Sequence, residues 1–252
     1  MTPPMAALSA VGFGVFFLVS LAIGVRLVAL AARTRRQPEL LIGMGILGIG
    51  PTAMGSMLLA ASLVRSSPGV ARGLTALAFV AISVGATAAC LFNWKVFRPD
   101  QASTRVWVLL TGALFALAIA TEAATTGFAD PIRPGPGGLF ISTLTAANLL
   151  WGAGESLLYW RLMRRRLRLG LADPLVTNRF LLWGVGIGAA GVGSVISLAA
   201  QLATGAAMAE MPGIMLSNSL HGLTSAVLMW VAFVPPAAWK RFVVESHRAT
   251  AA

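Results

Sequence analysis

The apolar and polar positions divide the chain into seven long apolar stretches separated by short polar or proline-containing breaks. The stretches fall at about 6–31, 39–63, 72–96, 104–128, 138–163, 177–203 and 212–238. A helix needs about 20 mainly apolar residues to cross the hydrocarbon core of a bilayer, and each stretch meets that length. Almost no chain is left over: the longest connection, 164–176, is about 13 residues. The pattern therefore predicts an all-α polytopic membrane protein, a seven-transmembrane-helix bundle forming one domain over residues 1–252.

Local signals mark the ends of these stretches. Pro38 and Glu39 open the second, where a proline fits the first turn and an acid suits the helix dipole. The runs "FRPDQAST", "FADPIRPGPGG" and "LADPLVTNRF" break the chain between helices. In "LMWVAFVPPAAWKRF" the paired prolines remove two backbone donors and should kink helix 7 near its inner end. Helix 2 reads "GMGILGIGPTAMG". Its small residues suit close helix contact in lipid, and the alternative is a hinge at Gly50–Pro51. The amino-terminal run has no basic residue before it, unlike a secretory signal. It reads as a retained first span with a short tail outside.

Composition changes the picture in one respect. Charged residues are 11% of the 252 positions and hydrophobic ones 57%, too little charge to cover a soluble surface. The net charge of +11 is not a nucleic-acid footprint, because the cations cluster between apolar runs; no nucleic-acid partner is expected. Arg33, Arg35 and Arg36 lie in the first connection, and Lys95, Arg98 and Arg105 around the third. Arg161, Arg164, Arg165, Arg166, Arg168 and Arg179 flank the fifth, and Lys240, Arg241 and Arg248 follow helix 7. Only Arg65, Arg72 and Arg133 fall on the opposite side. The positive-inside rule then sets the amino terminus outside and the carboxyl terminus in the cytoplasm. This predicts a multi-pass protein of the cell (plasma or inner) membrane, with the lipid bilayer as its first partner. Arg26, inside helix 1, should snorkel to the inner surface or meet Glu39. The basic "RLMRRRLRLG" extension of helix 5 reads as an orientation signal that also attracts anionic lipid heads. The single cysteine, Cys90, sits in an apolar run and allows neither an intrachain disulfide nor a thiolate metal cluster.

Helices 1–2 and 5–6 share a pattern: Arg-Leu, a basic turn, a proline, Leu-Leu, then spaced glycines. Helices 3 and 7 end in "NWKVF" and "AWKRF". Two parallel three-helix units joined by helix 4 fit this pattern and match one plan of membrane transporters. The alternative is that Trp, Lys and Arg simply collect at inner helix ends.

The stretches "RTRRQPELLIG", "LADPLVTNRFLLWG" and "FVPPAAWKRF" resemble those of uncharacterised bacterial seven-helix integral membrane proteins of about this length. That resemblance covers most of the chain and implies a topology without an activity. The three-plus-one-plus-three plan is also similar in architecture to microbial rhodopsins and to small sugar-transporter-like folds. A retinal Schiff base needs a lysine in the middle of helix 7. Lys95 and Lys240 both lie at inner helix ends, so no retinal is expected.

The candidate chemistry lies in the few polar residues inside the spans. On helix 5, Asn148, Gly152, Glu155 and Tyr159 share one face within roughly a quarter turn, with Thr145 beside them. A charged Glu155 facing lipid would cost several kcal/mol, so it must face the interior, be neutral, or be paired. On helix 7, Asn218, His221 and Ser225 form a second stripe. Both stripes could line a cavity between helices 5, 6 and 7, with Ser194 and Ser197 contributing. Alternatively Glu155 only fixes helix register, and His221 is a hydrogen-bonded packing residue. Glu122, near the outer end of helix 4, reads as solvated or interfacial. One intramembrane histidine cannot ligate haem from both sides, and neither GxSxG nor HExxH occurs. No catalytic residues, metal ligands or cofactors are therefore expected, and the protein reads as a non-enzyme. Three functions stay open. One is a sensor-like protein that binds a small ligand between its helices and signals through a separate cytoplasmic or membrane partner. The second is a small-solute or proton-coupled transporter using Glu155, and the third is an accessory membrane subunit.

Overall fold

The computed structural model describes residues 3–251, with side chains to residue 247. Met1, Thr2 and the Arg248 side chain, the last counted among the inner cations, lie outside this range. Among the described residues there are helices and connections only. They are α1 (Pro3–Thr34), α2 (Gln37–Leu63), α3 (Pro68–Phe97), α4 (Ala102–Thr125), α5 (Pro136–Arg168), α6 (Pro174–Thr204), α7 (Pro212–Phe233) and α8 (Ala237–Ala251). Six of them, α1 to α4 with α6 and α7, are long and apolar enough to cross a membrane. Two helices lie outside this group: the 15-residue α8, and α5, whose middle carries Asn148, Gly152 and Glu155 and whose end is arginine-rich.

Proline sets most of the helix starts. It occupies the first helical position of α3, α5, α6 and α7, where the missing N–H has no intrahelical partner to lose. Asp173 caps α6, its carboxylate accepting from the Val176 N–H at 2.9 Å. Gly205 ends α6 in the left-handed region at φ 67°.

The outer surface is apolar. Large side chains such as Leu18, Leu58, Leu109 and Leu202 are exposed, while the interior is built largely from Ala, Gly, Ser and Thr. Large residues outside and small ones inside suit a bundle solvated by lipid chains. Helices α1, α2, α3, α5, α6 and α7 pack successively into a ring, α7 closing against α1, and α4 stands outside it against α3 and α5.

Helix 2 packs closely against its neighbour. An ideal Cβ on Gly48 would lie 2.5 Å from the Ala81 carbonyl oxygen and 2.8 Å from Gly85 Cα, so α2 and α3 touch backbone to backbone. Pro51 offers no N–H, and the helix widens to a π-turn over Gly48–Thr52 around it. Helix 7 differs from expectation. Pro235–Pro236 does not kink the span; it ends it. α7 stops at Phe233 and a new helix, α8, begins at Ala237. The Val234 N–H still bonds back to the Trp230 carbonyl, and Arg179 Nε donates to the freed Ala232 carbonyl at 3.1 Å. Arg26 is exposed, and the Glu39 Oε2 atom is buried without a partner, so these two do not meet.

Candidate ligand site

The ring surrounds a cavity of about 80 Å³. Phe16 and Ser20 come from α1, Gly45, Ile46 and Ile49 from α2, and Phe92 and Asn93 from α3. Asn148 and Gly152 come from α5, Trp183 and Ile187 from α6, and Ser225 and Met229 from α7. The walls are mainly apolar, but their polar groups are poorly paired. Asn93 is 4% exposed and Ser225 1%, and neither side chain hydrogen-bonds to any described residue; what surface remains to them faces the void. Asn148 Nδ2 donates to the Leu144 carbonyl at 3.0 Å, leaving its oxygen free. Ser20 Oγ and Trp183 Nε1, in the same walls, are buried without partners. A buried polar atom left unpaired costs about 1–3 kcal/mol. The cavity concentrates several of them where a bound molecule can satisfy them. A space of this size holds about three waters or a solute of about four heavy atoms.

Glu155 is not part of this cavity. Its carboxylate accepts from Arg98 Nε at 2.9 and 3.0 Å and from the Trp151 indole N–H at 3.0 Å. Arg98, at the end of α3, also donates through Nη1 to Gln101 Oε1 at 3.1 Å. The acid deep in α5 is thus paired with a cation that the sequence reading assigned only to orientation. The pair lines a larger groove of about 540 Å³ between α4 and α5, together with Thr104, Trp107, Thr111 and Trp151. Asn148 is the one residue that borders both spaces. Breaking the pair should matter less than its depth suggests, because Arg98 is 35% exposed and solvent screens it. Glu155→Ala is expected to cost about 1–2 kcal/mol. The Arg98→Ala/Glu155→Ala double variant should be no less stable than Glu155→Ala alone in a denaturant titration; additive losses would argue that the two side chains act independently.

The remaining predicted residues go elsewhere. Tyr159 packs its ring on Phe180 and Phe97, with centroids 4.7 and 5.5 Å away, in an aromatic cluster towards the arginine-rich end of α5. His221 Nδ1 lies 2.8 Å from the Ser217 carbonyl of its own helix, and its Cβ sits against Gly193 of α6. Asn218 Nδ2 donates to Met208 Sδ at 3.5 Å. These two hold α6 to α7 and do not border the cavity. Of the two polar stripes, Asn148 and Ser225 meet at one cavity; Glu155, Tyr159, His221 and Asn218 do not join them. The cavity itself lies among six helices instead of between helices 5, 6 and 7.

Asn93 was missed because it sits two residues before Lys95 and reads as part of an inner helix end. Arg98 had a usable signal: a lone acid in lipid needs a partner, and a long cation at the nearest helix end can reach it. Glu122 is a correction. It is 1% exposed, not solvated, and accepts from the Gly135 and Gly138 N–H groups at 2.9 and 2.7 Å and from the Thr126 hydroxyl at 2.8 Å. It caps the start of α5. At the same end of the bundle, Arg133 pairs with Glu210 and holds that carboxyl below its usual range.

No known protein family, curated protein or solved structure matches the chain.

Proposed function

We propose that this is a seven-span protein of the cell membrane, amino terminus outside and carboxyl terminus in the cytoplasm, that binds a small ligand in the cavity at its centre and signals through a separate partner. On this reading α5 is the seventh span, its polar face turned inward. One observation carries the binding reading: the cavity gathers unpaired polar groups from Asn93, Asn148 and Ser225 on three helices of the ring. A ligand bridging them would bias the packing of all six helices, which is how a helical sensor passes binding on to a partner. Glu155 is held by Arg98 and Trp151, which favours a structural role for it over proton transfer. The basic extension of α5, where Arg164 stacks over Trp160 at 5.1 Å, offers the cytoplasmic partner a charged surface.

The test is ligand-induced stabilisation. In lipid nanodiscs, a cavity ligand raises the melting temperature of the wild type in proportion to the logarithm of its concentration. Ser225→Leu, whose side chain fills the void, should fold and show no such rise. If no compound separates the two proteins across a metabolite panel, the binding reading is lost.

Solute transport is a second reading, favoured by the repeat. Both α2 and α6 carry Leu-Leu-x-Gly-x-Gly-Ile, at 40–46 and 181–187. Gly43 presses against α1 at Gly24 and Gly184 against α5 at Ala153, while Gly45 and Gly186 face α3 and α7. Ile42 and Ile46 then line the cavity from one side, and Trp183 and Ile187 from the other. Two like units facing one site suit alternating access. Saturable flux of a stabilising compound into proteoliposomes would favour this reading; binding without flux would favour the sensor.

A further inference from the structure

The two spaces differ in charge, and that difference specifies the ligand. Resting on the binding reading above, we propose that the central cavity takes an uncharged solute of about four heavy atoms that both donates and accepts hydrogen bonds, of the primary amide, urea or small alcohol class. No Asp, Glu, Lys, Arg or His lies among the residues bordering the cavity. The nearby charges, Arg98 and Glu155, border the groove and neutralise each other there. A carboxylate or ammonium group moved into the cavity would lose its hydration and meet no counter-charge, a penalty that neutral hydroxyl and amide walls do not offset. The walls are chemically specific in another way. The Asn93 amide offers a donor and an acceptor, Ser225 offers both, and Asn148 has a free carbonyl oxygen. A purely apolar guest would leave all of them unpaired. The volume of about 80 Å³ suits a molecule the size of acetamide better than a sugar or an aromatic ring.

Acetamide and acetate are nearly isosteric and differ in charge, which makes them the decisive pair of probes, with methylammonium as the cation. The readout is the indole N–H resonance of Trp183, a wall residue, in protein carrying ¹⁵N-tryptophan in nanodiscs; loss of one peak in Trp183→Phe assigns it. Acetamide should move this resonance saturably and acetate and methylammonium should bind at least about a hundredfold more weakly, as expected for an unpaired buried charge. Ser225→Leu should abolish the acetamide response while keeping the spectrum of a folded protein. A saturable, Ser225→Leu-sensitive shift with acetate or methylammonium would overturn the ligand class and leave the cavity as a binding site. No shift with any of the three would overturn the ligand class, and the melting-temperature comparison of wild type with Ser225→Leu across the metabolite panel then decides the binding reading separately.

Discussion

Glu122→Ala is expected to cost about 2–5 kcal/mol of folding stability, because it strands two buried N–H groups and a hydroxyl. The carboxylate is fully enclosed and answers three donors on its own. Alanine would strand the Gly135 and Gly138 N–H groups at the start of α5, each an orphan of about 1–3 kcal/mol if water cannot reach it. Water has little room there. An ideal Cβ on Gly137 would already lie 2.3 Å from the Ala118 carbonyl oxygen and 2.5 Å from the Glu122 N–H nitrogen. Glutamine is the sharper test. It keeps size and shape but has one acceptor oxygen, so its NH₂ must point at a backbone N–H. Glu122→Gln should therefore lose most of what alanine loses, while Thr126→Val should lose about 1 kcal/mol, one ordinary hydrogen bond. Denaturant unfolding in a mild detergent measures all three. A glutamine variant within about 0.5 kcal/mol of wild type would refute the capping role.

This residue also shows where sequence reading stops. The long apolar helices could be placed from apolar runs because a spanning length of about 20 residues is a long, redundant signal. Their ends followed from proline and glycine. Glu122 was misplaced because its partners, thirteen and sixteen residues further on, come back over it only when "GPGG" folds against α4. Nothing within one helix announces that. The wheel of α5 has the same limit. Asn148 and Glu155 differ by only about 20° in azimuth, yet one reaches the central cavity and the other is drawn sideways to Arg98. Azimuth gives the face and not the neighbour, and a glutamate is long enough to choose among neighbours. The prolines at 235–236 were legible as a disruption, but whether a helix bends or ends depends on what satisfies the freed carbonyls. Here Arg179, on another helix, takes one of them.

Gly48→Ala should cost about 2–3 kcal/mol, for overpacking at the α2–α3 crossing with nothing able to yield. The three atoms nearest the added Cβ are the Ala81 carbonyl oxygen at 2.5 Å, Gly85 Cα at 2.8 Å and the Gly85 nitrogen at 3.1 Å, all backbone. No rotamer change relieves that contact; α2 must move off α3. Gly14 supplies the control, since a Cβ there meets nothing within 4 Å. Gly14→Ala should be neutral or stabilising by up to about 1 kcal/mol, the propensity gain alone. Gly85→Ala attacks the same crossing from the other side, with Ile49 N at 2.9 Å and Gly48 Cα at 3.0 Å. Once one methyl has pried the helices apart, the second meets less resistance. The Gly48→Ala/Gly85→Ala double variant should therefore lose less than the sum of the singles; strict additivity would mean that the two glycines do not share one contact. The same displacement reaches the binding reading. Gly45, Ile46, Ile49 and Gly50 of α2 and Ala89 of α3 form one wall of the cavity on either side of this crossing. Parting them widens the space and moves Asn93 away from Asn148 and Ser225. Acetamide should bind Gly48→Ala more weakly than Gly14→Ala even where both proteins remain folded. Equal affinity would show that the wall tolerates the shift, and that this crossing serves stability alone.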